Sequence, residues 1–261
     1  MSRKSYPTDL TDGQWARIAR FIPKAKPGGR PRTADMREIV NTILYVARSG
    51  CAWRLIPHDL PSWNSVYGYF RAFKVAGVWK KIHDSLRKKV RRACGRKPTP
   101  SAAIIDSQSV KTTEVGGARG YDACKKINGR KRHIMVDTIG MIIAVVVHEA
   151  SIQDRDGAKL VMEKIKEGFN RLKLIWADGG YAGKLIGWTS ENINRKLEIV
   201  KRSDDTKGFV VLPRRWVVER TFGWLGRYRR MSKDYEKLTE SSEAMIHIAM
   251  INLMSKRLDQ K

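Results

Sequence analysis

Acidic residues are scarce in this 261-residue chain: 26 Asp and Glu face 52 Lys and Arg, a formal charge of +26. An excess of that size repels itself unless a polyanion shares it. Nucleic acid is therefore the first partner to consider and an anionic membrane surface the second. Uncharged apolar runs of about 18 residues are absent, so no membrane-spanning helix is expected. The opening Met1-Ser2-Arg3-Lys4-Ser5-Tyr6 has basic residues but no apolar segment behind them, so it does not read as a signal peptide. Cysteine is sparse and odd in number. Cys51, Cys94 and Cys124 stand far apart with no CxxC pair, which argues against a zinc module and a disulfide scaffold. Each reads as a reduced packing residue of a soluble cytosolic protein. A P-loop is missing too, which argues against nucleotide hydrolysis, and there is no internal repeat. What is present is 42% hydrophobic residues, enough for a packed core, in a length that suits one large domain or two ordinary ones.

Residues 1–95 carry helical periodicity. Thr11-Asp12-Gly13-Gln14 has the form of a capping box ahead of Trp15, Ile18 and Ile22. Met36, Ile39, Val40, Ile43 and Ala47 mark a second helix from about Thr33 that Gly50 ends. After the short piece 52–56, Ser62 is placed to cap a helix whose buried face is Trp63, Val66, Tyr67, Phe70 and Phe73. Ile82, Leu86, Val90 and Ala93 mark a fourth helix. Helix, break, short piece and aromatic-backed helix together look like a helix-turn-helix arrangement. The third helix offers Asn64, Arg71 and Lys74 to DNA, though an ordinary solvated face fits equally. The fourth carries Lys88, Lys89, Arg91 and Arg92 with Asp84 as its one acid between residues 79 and 97, a density of positive charge that suits phosphate.

Residues 96–101 read as a linker, after which the periodicity changes. Strands are expected over Ala102–Val110, Lys131–Asp137, Met141–Val147, Leu172–Ala177 and Leu197–Lys201. Thr138-Ile139-Gly140 would join the second and third as a hairpin. Phe209–Leu212 suits an extended segment. Helices are expected over 156–168, from Pro213, and over Ser242–Arg257, the last apolar nearly all round and so buried. This order implies a mixed α/β sheet over residues 102–261.

Three acids stand out. Asp106 follows Ala102-Ala103-Ile104-Ile105, Asp178 ends Leu174-Ile175-Trp176-Ala177 before a Gly179-Gly180 turn, and Glu219 sits on a helix with Arg215 one turn earlier. An apolar run ending in a carboxylate is how a buried strand delivers an acid to a sheet edge. Two such strands and a helical glutamate can converge on Mg²⁺, a hard cation that takes oxygen ligands. An ordinary helix ion pair is the competing reading for Glu219. Arg220 and Arg227 extend the same helix as phosphate contacts, and Gly223 and Gly226 would permit a close backbone approach. The glycine-interrupted stretch 116–133 reads as a mobile loop that could close over DNA through Arg119, Lys125, Lys126, Arg130, Lys131 and Arg132. His133 fits either a metal ligand or base, or a structural strand histidine. Gly28-Gly29-Arg30-Pro31-Arg32 fits a minor-groove arm or a plain basic linker.

These motifs resemble a known family. Asp106-Ser-Gln-Ser-Val-Lys111, Gly120-Tyr-Asp-Ala-Cys-Lys-Lys126, Gly129-Arg-Lys-Arg-His133 through Gly140, Ala177-Asp-Gly-Gly-Tyr-Ala-Gly183 and Arg215-Trp-Val-Val-Glu-Arg220 are similar to bacterial insertion-sequence transposases of the DDE type, insertion-sequence-five group. Trp53-Arg-Leu-Ile-Pro57 and Ser62-Trp-Asn-Ser-Val-Tyr67 resemble the helical DNA-binding domain of that group. The resemblance implies an RNase H-like catalytic domain over 102–261, preceded by an all-α, helix-turn-helix-like domain. It also implies Asp106, Asp178 and Glu219 as catalytic triad and metal ligands. The family's tyrosine seven residues before the glutamate is Leu212 here, and its lysine seven after is Gly226, with Arg227 adjacent.

On that resemblance the expected cofactors are two Mg²⁺ ions, with Mn²⁺ as an alternative. The expected partners are double-stranded DNA, as terminal inverted repeats and as target, and further copies of the chain in a dimer or larger multimer. The expected location is the bacterial cytoplasm, on the nucleoid. Two other readings are a non-catalytic helix-turn-helix regulator and a metal-dependent nuclease that cuts without joining.

Overall fold

The computed structural model describes residues 3–25, 27–28, 31–200 and 215–259. The expected extended segment at 209–212 and the helix start at Pro213 lie outside these residues, as do Gly29 and Arg30. The chain opens with four helices: α1 (Asp12–Ala19), α2 (Met36–Ser49), α3 (Trp63–Val75) and α4 (Val78–Ala93). The capping box is present: Gln14 N–H donates to the Thr11 hydroxyl, and Thr11 N–H donates to the Gln14 side chain. Asp35, not Thr33, caps α2 by accepting from two backbone N–H groups. Gly50 ends α2 with φ +75°, and a Cβ there would meet Arg229 at 2.8 Å. Ser62 precedes α3 as expected, but its hydroxyl donates to Ser65 and does not cap the backbone.

After residue 101 come β1 (Ala102–Lys111), β2 (Gly120–Asp122), β3 (Ile127–Asp137), β4 (Ile142–Glu149), α5 (Asp154–Glu163), β5 (Leu174–Ala177), α6 (Lys184–Ile193), β6 (Lys196–Ile199), α7 (Trp216–Gly226) and α8 (Thr239–Asp259). Antiparallel β3 lies between β4 and β1, and β1, β5 and β6 run parallel. This is the RNase H-like mixed sheet that the resemblance implied. The expected hairpin is β3–β4, turned by Gly140 at φ +85°. The reading of 116–133 as one mobile loop is corrected: β2 and residues 127–133 of β3 occupy much of it, paired Gly120 to Gly129 and Val110 to Arg130. Its glycines allow strands to approach closely, since a Cβ on Gly129 would sit on the Val110 carbonyl oxygen.

Alternation along the central strands divides the interior into two layers. Ile104 and Trp176 face a core built with α1–α4, α7 and α8, whereas Ala103, Ile105, Ile175 and Ala177 face a core under α5 and α6. Helix α8 is buried on several sides because it fills the space between the sheet and the N-terminal helices. Residues 96–101 therefore connect two parts of one continuous core. Polar locks reinforce it: Arg91 of α4 reaches Asp137 at the end of β3 at 2.6 Å, with both side chains buried. None of the three cysteines is in a disulfide, and Cys94 and Cys124 are exposed, which corrects their reading as packing residues.

Candidate active site

Strands β1 and β5 pair in parallel up to Ile104 and Trp176. Asp106 and Asp178 each stand two residues beyond that last pair, so the strand pairing itself brings them side by side. Each also shares the parity of its paired residue, which aims both carboxylates at the α7 side of the sheet. Asp106 accepts the Ser107 N–H at 2.7 Å, and Asp178 caps the following turn by accepting the Gly180 N–H at 2.8 Å. From α7, one guanidinium nitrogen of Arg215 stands 3.5 Å from Asp178 and 3.8 Å from Glu219. All three acids thus border one small region, two from the sheet and one from the helix that covers it.

The electrostatics follow from this crowding. Burial pushes the Asp106 carboxyl up to about 6; the Ser107 N–H opposes that rise, the Asp178 charge adds to it, and Lys125 and Arg215 oppose it. A divalent cation would relieve this strain between neighbouring carboxylates. Among the described residues, no three His, Cys, Asp or Glu side chains stand close enough to enclose a metal ion. The donor set nevertheless fits one: Asp106 and Asp178 form the coupled pair, and Glu219 faces the same positive centre that Arg215 now occupies.

A polar layer supports the two strand carboxylates from the opposite face of the sheet. The Ser107 hydroxyl donates to Asp154 at the start of α5, and Lys125 donates to the Ser107 carbonyl and hydroxyl oxygens. Tyr181, three residues after Asp178, bonds His133 at 2.8 Å. His133 is wholly buried, and burial pushes it down to about 3, so it is a neutral internal residue. Sequence reasoning missed Asp154, Tyr181 and His148. Only Tyr181 carried a local signal, its place in the Ala177–Gly183 motif that also contains Asp178.

The expected DNA contacts divide by exposure. Asn64, Arg71, Lys88, Arg92, Arg119, Lys125, Lys126 and Arg227 are exposed, and Lys74, Lys89, Arg215 and Arg220 are half-buried. Lys89 is held below the usual lysine range by burial and by Arg20 and Arg17 nearby, a concentration of positive charge suited to phosphate. Arg220 is stacked between Trp216 and Trp224. Arg91, Arg130, Lys131 and Arg132 are corrected. All are buried, and each satisfies internal oxygens: Arg91 binds Asp137, Arg130 the carbonyls of Ala118, Glu236 and Lys237, Lys131 both Asp122 and Asp154, and Arg132 the carbonyls of Met231 and Lys233. A basic run on a strand looks like an anion site in sequence; here its arginines fasten the sheet to the segment before α8. Arg230 lies past the end of α7 and pairs with Glu236 at 2.7 Å.

Comparison with known proteins shows the family to which the chain belongs. The profile of the family "Transposase DDE domain" matches residues 97–254, and that of "Putative transposase of IS4/5 family" matches residues 10–83. In Burkholderia cepacia, the "Insertion element IS402 uncharacterized 16.2 kDa protein" is 27% identical over 117 residues, 42% of this chain and 78% of that one. From the same organism, the "Putative transposase for insertion sequence element IS402" is 27% identical over 132 residues, 48% of this chain and 60% of that one. The solved "Drosophila P element transposase strand transfer complex" aligns at 16% identity and a TM-score of 0.35 over 74% of this chain and 45% of its own. No helix among the described residues is long and apolar enough to cross a membrane. Matched by the DDE-domain profile over more than half its length, the chain belongs to the DDE transposases of insertion sequences.

Proposed function

We propose that this chain is the transposase of an insertion sequence: it binds the element's terminal inverted repeats, cuts a phosphodiester at each end and joins the freed end to target DNA. The observation that carries this reading is the placement of Asp106 and Asp178 on neighbouring parallel strands, with Glu219 facing them from α7 across Arg215. Asp106, Asp178 and Glu219 would hold divalent ions, Mg²⁺ or Mn²⁺, which when bound supply Lewis-acid activation of the attacking oxygen and stabilisation of the leaving one. The chain's own residues do the rest. Arg215 and Lys125 place positive charge against the carboxylates, where a phosphate's developing charge would be stabilised. Exposed cations at Lys88, Arg92 and Arg71 hold the DNA backbone, and Asn64 is available to base edges. The hydroxyl that attacks first belongs to water and then to the freed 3′ end, so no side-chain nucleophile is assigned.

The test is a duplex carrying the cognate inverted repeats, incubated with the full chain and Mg²⁺ or Mn²⁺. Metal-dependent nicking at the element ends, followed by strand-transfer joints, is expected. Asp106→Asn, Asp178→Asn and Glu219→Gln should each abolish cutting and retain binding of the repeats. Cutting without joints would reduce the reading to a nuclease. Sequence-specific binding without metal-dependent cutting would leave a regulator.

A further inference from the structure

Under the catalytic carboxylates runs a buried hydrogen-bond chain whose direction is fixed by its far end. His148 Nδ1 stands 2.8 Å from the Glu149 carbonyl oxygen, which can only accept, so Nδ1 carries the proton. The other nitrogen of a neutral His148 is then an acceptor, and it lies 3.2 Å from His133 Nδ1, which must donate. That leaves His133 Nε2 to accept from the Tyr181 hydroxyl at 2.8 Å. Burial favours the neutral form of both imidazoles and keeps the Tyr181 hydroxyl protonated. Helix α5 closes over the chain at the residue without a side chain: a Cβ on Gly157 would stand 2.5 Å from His148 Nε2 and 2.6 Å from His133 Nδ1.

The two ends of this chain are structurally distinct. Glu149 ends β4, and His133 lies on β3 directly opposite Ser107, the residue after Asp106. Tyr181 closes the single helical turn that Asp178 opens and caps. Beyond Trp176 the chain has no partner in β1. The Val200 N–H bond to the Ala177 carbonyl oxygen holds the end of β5 from the β6 side, and the Tyr181 hydroxyl bond ties the Asp178 turn itself to β3 from the far face of the sheet. We infer that Tyr181, His133 and His148 are positioning residues that hold the Asp178 turn against β1 and β3, and so set the carboxylate spacing on which divalent-cation affinity depends. This rests on the reading of Asp106 and Asp178 as metal ligands.

The experiment is a titration of the full, DNA-free chain with Mn²⁺, read by the electron paramagnetic resonance of free Mn²⁺. Tyr181→Phe removes one hydroxyl and keeps the ring. Losing such an outer support weakens metal affinity by about 10-fold or more, so Tyr181→Phe is expected to bind Mn²⁺ about 10-fold more weakly than the unaltered chain. Its far-ultraviolet circular dichroism and affinity for the terminal repeats should be unchanged. A role confined to packing would lower the thermal midpoint and leave the Mn²⁺ titration where it was; that result overturns the inference. If Tyr181→Phe does not fold, His148→Gln, altered at the remote end of the chain, is judged by the same titration. Failure of the unaltered chain to take up Mn²⁺ would defeat the assignment of the carboxylates as ligands, a failure separate from that of the positioning role.

Discussion

Replacing the half-buried Asp106 carboxylate should stabilise the metal-free protein. The Asp106 carboxyl titrates near 6, against an ordinary 3.8, chiefly because burial strips water from its charge. As pH rises, the unfolded chain loses this proton first. Between about 4 and 6 the native state therefore holds a proton that the unfolded state has released, and stability falls with rising pH through that window. Once both states are ionised, the displacement from 3.8 to about 6 amounts to about 3 kcal/mol of lost stability. Asp106→Asn removes the charge and keeps the shape, and its amide oxygen can still accept the Ser107 N–H now bound at 2.7 Å. The gain should approach about 3 kcal/mol at pH 8 and be small at pH 4. With a urea slope of about 3 kcal/mol per molar, the pH 8 midpoint would rise by about 1 M. The assay is urea denaturation in the presence of a chelator at both pH values. A variant no more stable than the parent at pH 8, or a gain equal at both pH values, would refute the argument that burial strain on Asp106 limits stability. Saturating Mg²⁺ should stabilise the parent at pH 8 and do much less for Asp106→Asn.

Other perturbations separate the buried cations from the exposed ones. Arg91→Ala leaves Asp137 buried without its guanidinium partner and should cost about 3–5 kcal/mol in denaturant unfolding; a loss under about 1 kcal/mol would show that Asp137 is satisfied by its turn N–H groups alone. Arg132→Ala should lower the thermal midpoint, because the Met231 and Lys233 carbonyls lose their donor. Arg92→Ala, at an exposed site, should leave the midpoint unchanged, weaken DNA binding and reduce the slope of log affinity against log salt by about 0.9. Gly129→Ala drives a methyl into the Val110 carbonyl and should destabilise by the upper part of the about 1–3 kcal/mol typical of overfilled sites, measured by urea unfolding.

Much of the architecture was legible because it is written in local periodicity. The capping box at Thr11, the stop at Gly50, the β3–β4 hairpin and the buried last helix all follow from residues within one or two turns of each other. The apolar runs ending in Asp106 and Asp178 are equally local, and they marked the two strand-borne acids. Helix α6 and strand β2 were not anticipated. The first is a helix of ten residues with no side-chain cap at its start, and the second is a three-residue edge strand made by pairing with β3.

Charge was the property least readable from sequence. Arg130, Lys131 and Arg132 look the same in the chain as Lys125 and Lys126, because a run of cations states no direction. Strand alternation, the register of β3 against β1 and β4, and the carbonyls offered by the segment before α8 turned three of them inward. The hydrogen bonds that join Tyr181, His133 and His148 also depend on three separate elements and on the missing side chain of Gly157. The sequence by itself determined most of the elements, the excess of positive charge and the apolar runs that lead to Asp106 and Asp178, since these depend on residue type and short-range spacing. Only the tertiary structure decided which cations are buried and what holds the Asp178 turn in place, because those outcomes depend on oxygens and helices brought from distant parts of the chain.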